Sequence, residues 1–376
     1  MSNALWAVGL VSGVLDESRE FMAYELQQDW RFSPSDNWML NVGFRARQQD
    51  AEYRFAAVKS VLPPFDDILD NQPLLDRSIE VSPEGAQYAA YSELRWQPTG
   101  KLVLDVGVRW DQQTYTSSED DRQYSPRASV LFRSGDRTEI RIGMGQFYQA
   151  QEINELQLSD GIDTFFPAQR AEHFIISVQQ GFGYDIDASL SVYRKSFRTL
   201  HPRFENAFNT LTLVPELQFD RVMIDPTGAE ASGIELTVTK GAADDDLIWW
   251  FGYDWSRILD ETPGGEIERS WDQTHTVKGG ISWRFRQWNF SAAAEVHTGW
   301  PGTFMTGENI INPDGSTGLL LDVTGRNSAR YSVFHTLDVR VSRDIKVKRG
   351  ELTAFLEISN LYNRANSCFV EYSLAA

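Results

Sequence analysis

The chain has 376 residues with a formal net charge of −18, and 12% of its residues are aromatic. The aromatic content excludes a disordered chain. The acidic balance excludes nucleic acid as a partner, because its phosphates would repel the protein. No run of about 18 apolar residues exists, so the sequence contains no transmembrane helix. The single cysteine, Cys368, permits neither an internal disulfide bond nor a cysteine-based metal cluster.

Hydrophobic residues recur with a period of two along most of the chain, which indicates β-strands whose two faces meet different surroundings. In the clearest case, Leu102, Leu104, Val106, Val108 and Trp110 alternate with Val103, Asp105, Gly107, Arg109 and Asp111. The pattern predicts fifteen strands, near residues 4–14, 20–32, 38–49, 87–96, 102–111, 125–133, 138–148, 171–180, 184–197, 231–239, 247–257, 274–285, 288–299, 335–343 and 351–360. Many are about 10 residues long, enough to cross a bilayer at a tilt.

Short and long connections alternate between these strands from residue 33 onward. The short turns are 33–37, 97–101, 134–137, 181–183, 240–246, 286–287 and 344–350. The long loops are 50–86, 112–124, 149–170, 198–230, 258–273 and 300–334. The one exception is the first connection, 15–19, which is short where a long loop is due. This rhythm predicts an all-β transmembrane antiparallel barrel with short periplasmic turns and long external loops.

Aromatic side chains cluster at both ends of the predicted strands. Trp30, Trp38, Trp96, Trp283 and Trp288 are close to short turns, whereas Trp110, Tyr148, Tyr253 and Trp255 are close to long loops. Two aromatic belts around an apolar band are typical of a protein that crosses a membrane.

Six short motifs follow one another between residues 125 and 363. They are Ser125-Pro126-Arg127, RIGMGQFYQAQEINEL at 141–156, Ala231-Ser232-Gly233-Ile234-Glu235-Leu236, Trp271-Asp272-Gln273-Thr274-His275-Thr276-Val277, Gly299-Trp300-Pro301 and Glu357-Ile358-Ser359-Asn360-Leu361-Tyr362-Asn363. Each is a weak signal alone. Their order over this length resembles the C-terminal part of the barrel domain of TonB-dependent outer-membrane receptors.

The resemblance implies a 22-stranded barrel with a plugged lumen, in the outer membrane of a Gram-negative bacterium. The fifteen predicted strands would be the seventh to the twenty-first. Residues 1–376 are therefore predicted to be a barrel fragment without the plug domain and the complete final strand. The implied function is active import of a large, scarce ligand such as a siderophore–iron complex. The implied partners are outer-membrane lipid, the ligand and, through the plug, the TonB complex.

Charged residues on the polar parity are predicted to face the lumen or the plug and to pair across neighbouring strands. They are Arg45, Arg47, Asp105, Arg109, Asp111, Arg127, Arg141, Glu235 and Glu295. Aromatic residues in or beside the long loops are candidates for ligand capture. They are Phe147, Tyr148, Phe165, Phe166 and Trp300. Packing within the loops is the alternative role for each of them.

No motif supports catalysis, a resident metal or a cofactor. The five histidines lack the H-E-x-x-H spacing, and the acidic groups near 66–70, 119–121 and 244–246 do not match a calcium-binding loop. No G-x-S-x-G elbow is present. Two other functions stay open: a passive porin, and a soluble all-β carbohydrate-binding protein whose apolar parity would face another sheet. A barrel enzyme would need a nucleophile, a base and an orienting group, which the sequence does not assemble.

Overall fold

The computed structural model describes residues 2–8, 11–63, 65–66, 74–116, 122–241, 245–311, 316–370 and 372. Several members of the acidic loop groups lie outside these residues, namely Asp67, Asp70, Glu119, Asp120, Asp121 and Asp244. No helix in the described ranges is long and apolar enough to cross a membrane.

Twenty-three strands are present in the described residues. The first twelve are β1 (Ser2–Val8), β2 (Val11–Ser35), β3 (Trp38–Val61), β4 (Leu74–Val81), β5 (Glu84–Thr99), β6 (Leu102–Gln113), β7 (Gln123–Arg133), β8 (Thr138–Gln149), β9 (Gln169–Phe182), β10 (Ile186–Arg198), β11 (Arg203–Asn206) and β12 (Arg221–Ile224). The others are β13 (Gly228–Lys240), β14 (Leu247–Thr262), β15 (Gly265–Glu268), β16 (His275–Phe285), β17 (Trp288–His297), β18 (Pro301–Gly302), β19 (Met305–Ile311), β20 (Thr317–Val323), β21 (Ala329–Arg330), β22 (Phe334–Val347) and β23 (Gly350–Ile358). Two single 3-10 turns, Leu158–Asp160 and Pro215–Leu217, lie in the loops.

Seventeen of these strands form one antiparallel sheet in which neighbours along the chain are neighbours in space. Two of the seventeen, β4 and β15, pair only with the far ends of β3 and β14. The remaining fifteen agree in number with the predicted strands. Among the described residues β1 pairs only with β2 and β23 only with β22, so the sheet is not closed. Three two-stranded ribbons, β11–β12, β18–β21 and β19–β20, lie in the loops.

The predicted break at residues 15–19 is wrong. The strand β2 runs without interruption from Val11 to Ser35, and Asp16 to Arg19 pair in register with β3. The segment resembles a turn in sequence because charged residues occupy both parities, with Asp16 on one and Glu17 and Arg19 on the other.

The predicted long loop 50–86 is also wrong over much of its length. The strand β3 continues to Val61, and β4 pairs beside it from Leu74 to Val81. The strands β2 and β3 thus form a hairpin that extends far past the point where β5 begins. The described parts of the other long loops form short ribbons and turns.

The two faces of the main sheet differ as the alternation predicts. On β6, Val106 and Val108 are 57% and 47% exposed, whereas Val103 on the opposite face is 1% exposed. We call the face of Val106 the apolar face and the face of Arg109 the polar face. Cross-strand register carries the apolar face through exposed Leu26, Phe44, Met144, Phe174, Val192, Ile281 and Phe290. A continuous apolar surface of this kind requires an apolar environment.

Aromatic residues mark both limits of the apolar face. At the short-turn end Trp38 stacks on Trp96, its cross-strand neighbour, with ring centroids 5.1 Å apart. At the long-loop end the Tyr253 hydroxyl lies 3.0 Å from Nδ1 of His275. The structure therefore contains the two aromatic levels that the sequence predicts, separated by the apolar face.

A hydrophobic core lies beyond the long-loop end of the sheet, where the β2–β3 hairpin covers loop 150–168. We call it the hairpin core. Its buried members are Leu15, Ala51, Tyr53, Phe55, Ala57, Ile153, Leu156, Leu158, Phe165 and Leu217. The buried residues of β3 alternate along the strand, because one face of the hairpin meets the loop and the other meets solvent.

Candidate functional site

Glycines on the polar face let side chains from two flanking strands meet above them. Glu93 on β5 and Arg127 on β7 both lie beside Gly107 of β6, and their side chains pair at 3.1 Å. A Cβ at residue 107 would lie 3.3 Å from Nε of Arg127. Tyr91 donates a 2.7 Å hydrogen bond to Asp29 across Gly43 of β3 in the same way. Each contact links the two strands that flank the glycine-bearing strand, so three neighbouring strands are joined by one side-chain pair.

Most of the predicted charged residues lie beside an opposite charge on the polar face. The pairs are Arg47 with Glu25 (3.7 Å) and Glu152 (3.2 Å), Asp105 with Arg95 (3.6 Å), Arg109 with Asp111 (2.7 Å), and Glu295 with Lys278 (3.3 Å). Exposed pairs of this kind contribute little stability individually, about 0–1 kcal/mol each. Their main effect is that opposite charges on the polar face neutralise one another.

Arg45, Arg141 and Glu235 differ, because no ion pair joins them to another described residue. Arg141 and Glu235 are exposed. Nε of Arg45 is buried and has no hydrogen-bond partner.

A cavity of about 860 Å³ opens between loop 150–168, loop 199–220 and the long-loop ends of β8, β9 and β10. We call it the upper cavity. Its aromatic walls are Phe147, Tyr148, Phe166, His173, Phe197 and His201. Its charged walls are Arg19, Arg170, Arg203, Arg221 and Arg269, against Glu155, Asp160 and Glu216. Each arginine already pairs with a carboxylate: Arg19 with Glu17, Arg170 with Glu172, Arg221 with Asp160, and Arg203 and Arg269 with Asp260. The walls therefore offer guanidinium groups to a polar ligand without a large excess of positive charge.

The aromatic candidates separate into two groups. Phe147, Tyr148 and Phe166 line the upper cavity, and the Phe166 ring stacks on His201 at 5.2 Å. Phe165 is buried in the hairpin core, edge-on to Tyr115 at 4.9 Å. Trp300 lies away from this cavity, edge-on to Trp271 at 4.8 Å. The structure thus brings three of the five candidates together.

The histidine beneath Phe166 is His201, whose surroundings favour its neutral form. Nε2 of His201 lies 2.5 Å from the carbonyl oxygen of Pro167, which can only accept, so Nε2 carries a proton. Burial lowers the pKa of His201. The ring therefore offers the cavity an aromatic face rather than a positive charge.

A network of charges joins three of the long loops, and the sequence patterns did not indicate it. Buried Asp260 accepts hydrogen bonds from Arg203 and from Arg269, the latter at 2.8 Å, and Arg326 lies 3.7 Å away. Arg330 pairs with both Glu268 and Asp272 at 2.6 Å. Burial by itself raises the pKa of Asp260, but the hydrogen bonds from Arg203 and Arg269 outweigh it and leave that pKa below its ordinary value.

Within the described ranges, His, Cys, Asp and Glu side chains form no group of three that could hold a metal ion. The arginines and aromatic rings of the upper cavity instead suit a ligand recognised by charge and stacking.

The sheet, its apolar and polar faces and its aromatic limits are those of an outer-membrane β-barrel wall. The sequence matches the family described as TonB dependent receptor-like, beta-barrel, over residues 7–361. The chain belongs to this family, whose members are transporters and receptors of the Gram-negative outer membrane and not enzymes. A comparison with curated protein sequences finds no match.

Solved structures with this fold include three uptake proteins. The ferric yersiniabactin uptake receptor FyuA from Yersinia pestis has a TM-score of 0.66 and 13% identity, covering 100% of this chain and 54% of its own. The ferripyoverdine receptor of Pseudomonas aeruginosa has a TM-score of 0.61 and 12% identity, covering 98% and 49%. The copper transporter OprC has a TM-score of 0.60 and 14% identity, covering 95% and 52%. The chain therefore spans about half the length of these structures.

Proposed function

We propose that the chain is the barrel part of a TonB-dependent active transporter that imports a large, scarce ligand such as a siderophore–iron complex. The chain is the greater part of the barrel wall in this proposal, and the polar face lines the lumen. A plug domain elsewhere in the whole protein receives energy from the TonB complex.

The upper cavity carries the proposal. Its volume of about 860 Å³ lies within the range of about 300–1,000 Å³ that holds a drug-sized ligand. Five arginines and six aromatic or imidazole rings surround it. Iron chelates that carry carboxylate or phenolate groups combine negative charge with flat surfaces, which guanidinium groups and aromatic rings bind together.

Similar proteins support the choice of an iron chelate as the ligand. Two of the three solved structures above are named as receptors for ferric yersiniabactin and ferripyoverdine. Their identity to this chain is low, so they indicate the class of ligand and not its chemical structure.

The test is energy-dependent uptake by the intact receptor in its own membrane. Cells that express it as their only receptor would be given radiolabelled iron complexed with siderophores of carboxylate, phenolate and hydroxamate type. We expect uptake of at least one complex, abolished when the proton-motive force is collapsed. Uptake that persists without the proton-motive force would contradict the proposal and favour a passive porin.

Substitutions in the wall of the upper cavity test whether the ligand binds there. We expect Phe166→Leu and Arg170→Gln to weaken binding of the imported complex about tenfold each, which corresponds to ~1.4 kcal/mol. Arg141→Gln is the matched control, because Arg141 is an exposed arginine on the polar face outside the cavity. Equal losses in Arg170→Gln and Arg141→Gln would remove the upper cavity from the proposal.

A further inference from the structure

A groove of about 740 Å³ lies on the apolar face and crosses the strands β6 to β10. We call it the outer groove. One row of its wall consists of Val106, Ala128, Met144 and Phe174, which are cross-strand neighbours in register. Ala128 and Pro126 have compact side chains, so β7 forms a low floor between the larger exposed side chains of Val106 and Met144. The proposed function does not use this groove, because it lies on the side of the sheet opposite the polar face.

The rim of the outer groove nearest the long loops is polar. Gln146, Glu172 and Ser196 form the next row in register on β8, β9 and β10. Arg194 ends the apolar row itself, because it is the cross-strand partner of Phe174. The outer groove is therefore amphipathic, with an apolar wall and floor and with polar groups at the end that faces the external loops.

Arg194 has hydrogen-bond donors to spare at this rim. Its side chain is 66% exposed, and Glu230 accepts a hydrogen bond from its Nη2 at 2.6 Å. A guanidinium group carries five N–H donors in a planar fork, so donors remain for a second anion. A charged group at the edge of a hydrocarbon layer loses hydration, and an anionic group from that layer would replace the lost water contacts.

We propose that the outer groove binds one membrane lipid that carries a phosphate in its headgroup. Its acyl chains lie over Ala128 and Pro126, and its phosphate accepts hydrogen bonds from Arg194. Guanidinium groups bind phosphate oxygens through paired N–H donors. A lipid is the occupant because the groove is continuous with the apolar face, which the family's location in the outer membrane places in lipid. The lipid is thus bound at a defined position rather than exchanging freely around the wall.

The test is native mass spectrometry of the intact receptor, released from detergent micelles that contain dimyristoyl phosphatidylglycerol. We expect one lipid adduct that saturates as the lipid concentration rises. Ala128→Trp fills the groove with an apolar ring, and Arg194→Gln removes the charge, so each should weaken the adduct at least tenfold. Dimyristoylglycerol has the same chains without the phosphate, and it should bind the wild type and Arg194→Gln equally weakly.

Two matched controls lie outside the outer groove. Ala294 is exposed on the apolar face of β17, so Ala294→Trp adds the same ring elsewhere. Arg198 is 52% exposed on the same strand as Arg194 and pairs with Glu261 at 2.9 Å, so Arg198→Gln removes a comparable charge. Both controls should leave the adduct unchanged.

Three results would overturn the proposal. The first is lipid binding that never saturates, and the second is an equal loss of the adduct in the test and control variants. The third is a lipid-free dimer that Ala128→Trp dissociates, which would assign the outer groove to a second copy of the chain. Lipid binding needs neither an imported ligand nor energy coupling, so these outcomes are independent of the transport proposal.

Discussion

Single residues determine how closely the strands of the polar face are tied together. Gly43 and Gly107 have no Cβ, and the side chains of both neighbouring strands meet in the space that a Cβ would occupy. The Asp29–Tyr91 hydrogen bond and the Glu93–Arg127 ion pair use that space. A small residue at these two positions is thus a condition for cross-linking three strands.

Gly43→Ala should lower the stability of the protein slightly, because the Asp29–Tyr91 hydrogen bond is lost while two exposed side-chain ends move aside. The new Cβ would lie 2.5 Å from Cε1 of Tyr91, so the Asp29–Tyr91 bond must break. Gly252→Ala is the control, because the nearest atom to its Cβ is 3.9 Å away. The measurement is the denaturant midpoint of the intact receptor in detergent. Equal midpoints for the two variants would contradict the argument.

Asp260 holds the charge network together because it is fully buried and faces three arginines. Removing one partner of a buried ion pair leaves uncompensated charge and costs about 3–5 kcal/mol. Asp260→Asn should therefore loosen the loops that carry Arg203, Arg269 and Arg326. Trypsin should cleave them faster than in the wild type. Glu261→Gln, which removes an exposed partner of Arg198, should change cleavage little.

The pH dependence of the same network follows from the lowered pKa of Asp260. Its stabilising contribution is fully present above the unfolded value of about 3.9 and is lost as pH falls through the lower folded value. Near-ultraviolet circular dichroism during acid titration should show the loops unchanged down to about this unfolded value, and altered only below it. A transition near neutral pH would contradict the assignment.

At the scale of elements, the β2–β3 hairpin acts as an arm that positions loop 150–168. Tyr53 makes the main polar contacts between them. Its hydroxyl donates to the carbonyl of Ile153 at 2.8 Å and accepts from the backbone NH of Leu156 at 3.2 Å. The loop supplies Phe166 and Asp160 to the upper cavity, so the arm supports the proposed ligand site indirectly.

Tyr53→Phe should release this loop, because two backbone groups lose a buried partner at about 1–3 kcal/mol. We expect amide hydrogen exchange to accelerate about tenfold or more over residues 151–158, with the sheet strands unchanged. Tyr24→Phe is the control, since Tyr24 is 69% exposed on the apolar face. An unchanged exchange rate in the loop would show that the hairpin does not hold it.

The strands of the sheet could be predicted because their signal is local. Strands such as β6 and β8 alternate apolar and polar residues next to a turn, and the alternation is imposed by two different surroundings. The β2–β3 hairpin could not be predicted in the same way. Beyond the apolar face charged residues occupy both parities of β2, so Asp16 to Arg19 resemble a turn although they pair with β3.

The candidate site was predictable only in part for a related reason. Phe147, Tyr148 and Phe166 were identified because they flank a strand end, which is visible along the chain. The partners of Asp260 lie 57 residues before it and as far as 66 residues after it, in separate loops. Phe165 and Phe166 are adjacent, yet one is in the core and the other lines the cavity. No local pattern encodes which of the two lines the cavity.

At the scale of the whole molecule, the sheet is inverted relative to a water-soluble protein. Large apolar side chains are exposed across one face, and charged residues such as Arg127 with Glu93 and Lys278 with Glu295 pair on the opposite face. Water would leave the apolar face without a compensating environment, whereas lipid provides one. The stability of the sheet therefore depends on which solvent, lipid or water, contacts each of its faces.

Substitutions on β6 and β7 separate lipid from water at the apolar face. Val106 is 57% exposed, so Val106→Lys would cost almost nothing in water. In a bilayer a lysine near the midplane costs about 2–4 kcal/mol, because its charge loses hydration. Ser129→Lys is the control on the polar face, where Ser129 donates to Asp105 and a lysine would gain an opposite charge. We expect urea titration of the receptor folded in lipid vesicles to show the loss only for Val106→Lys. Equal stability of both variants would mean that water, and not lipid, surrounds the apolar face.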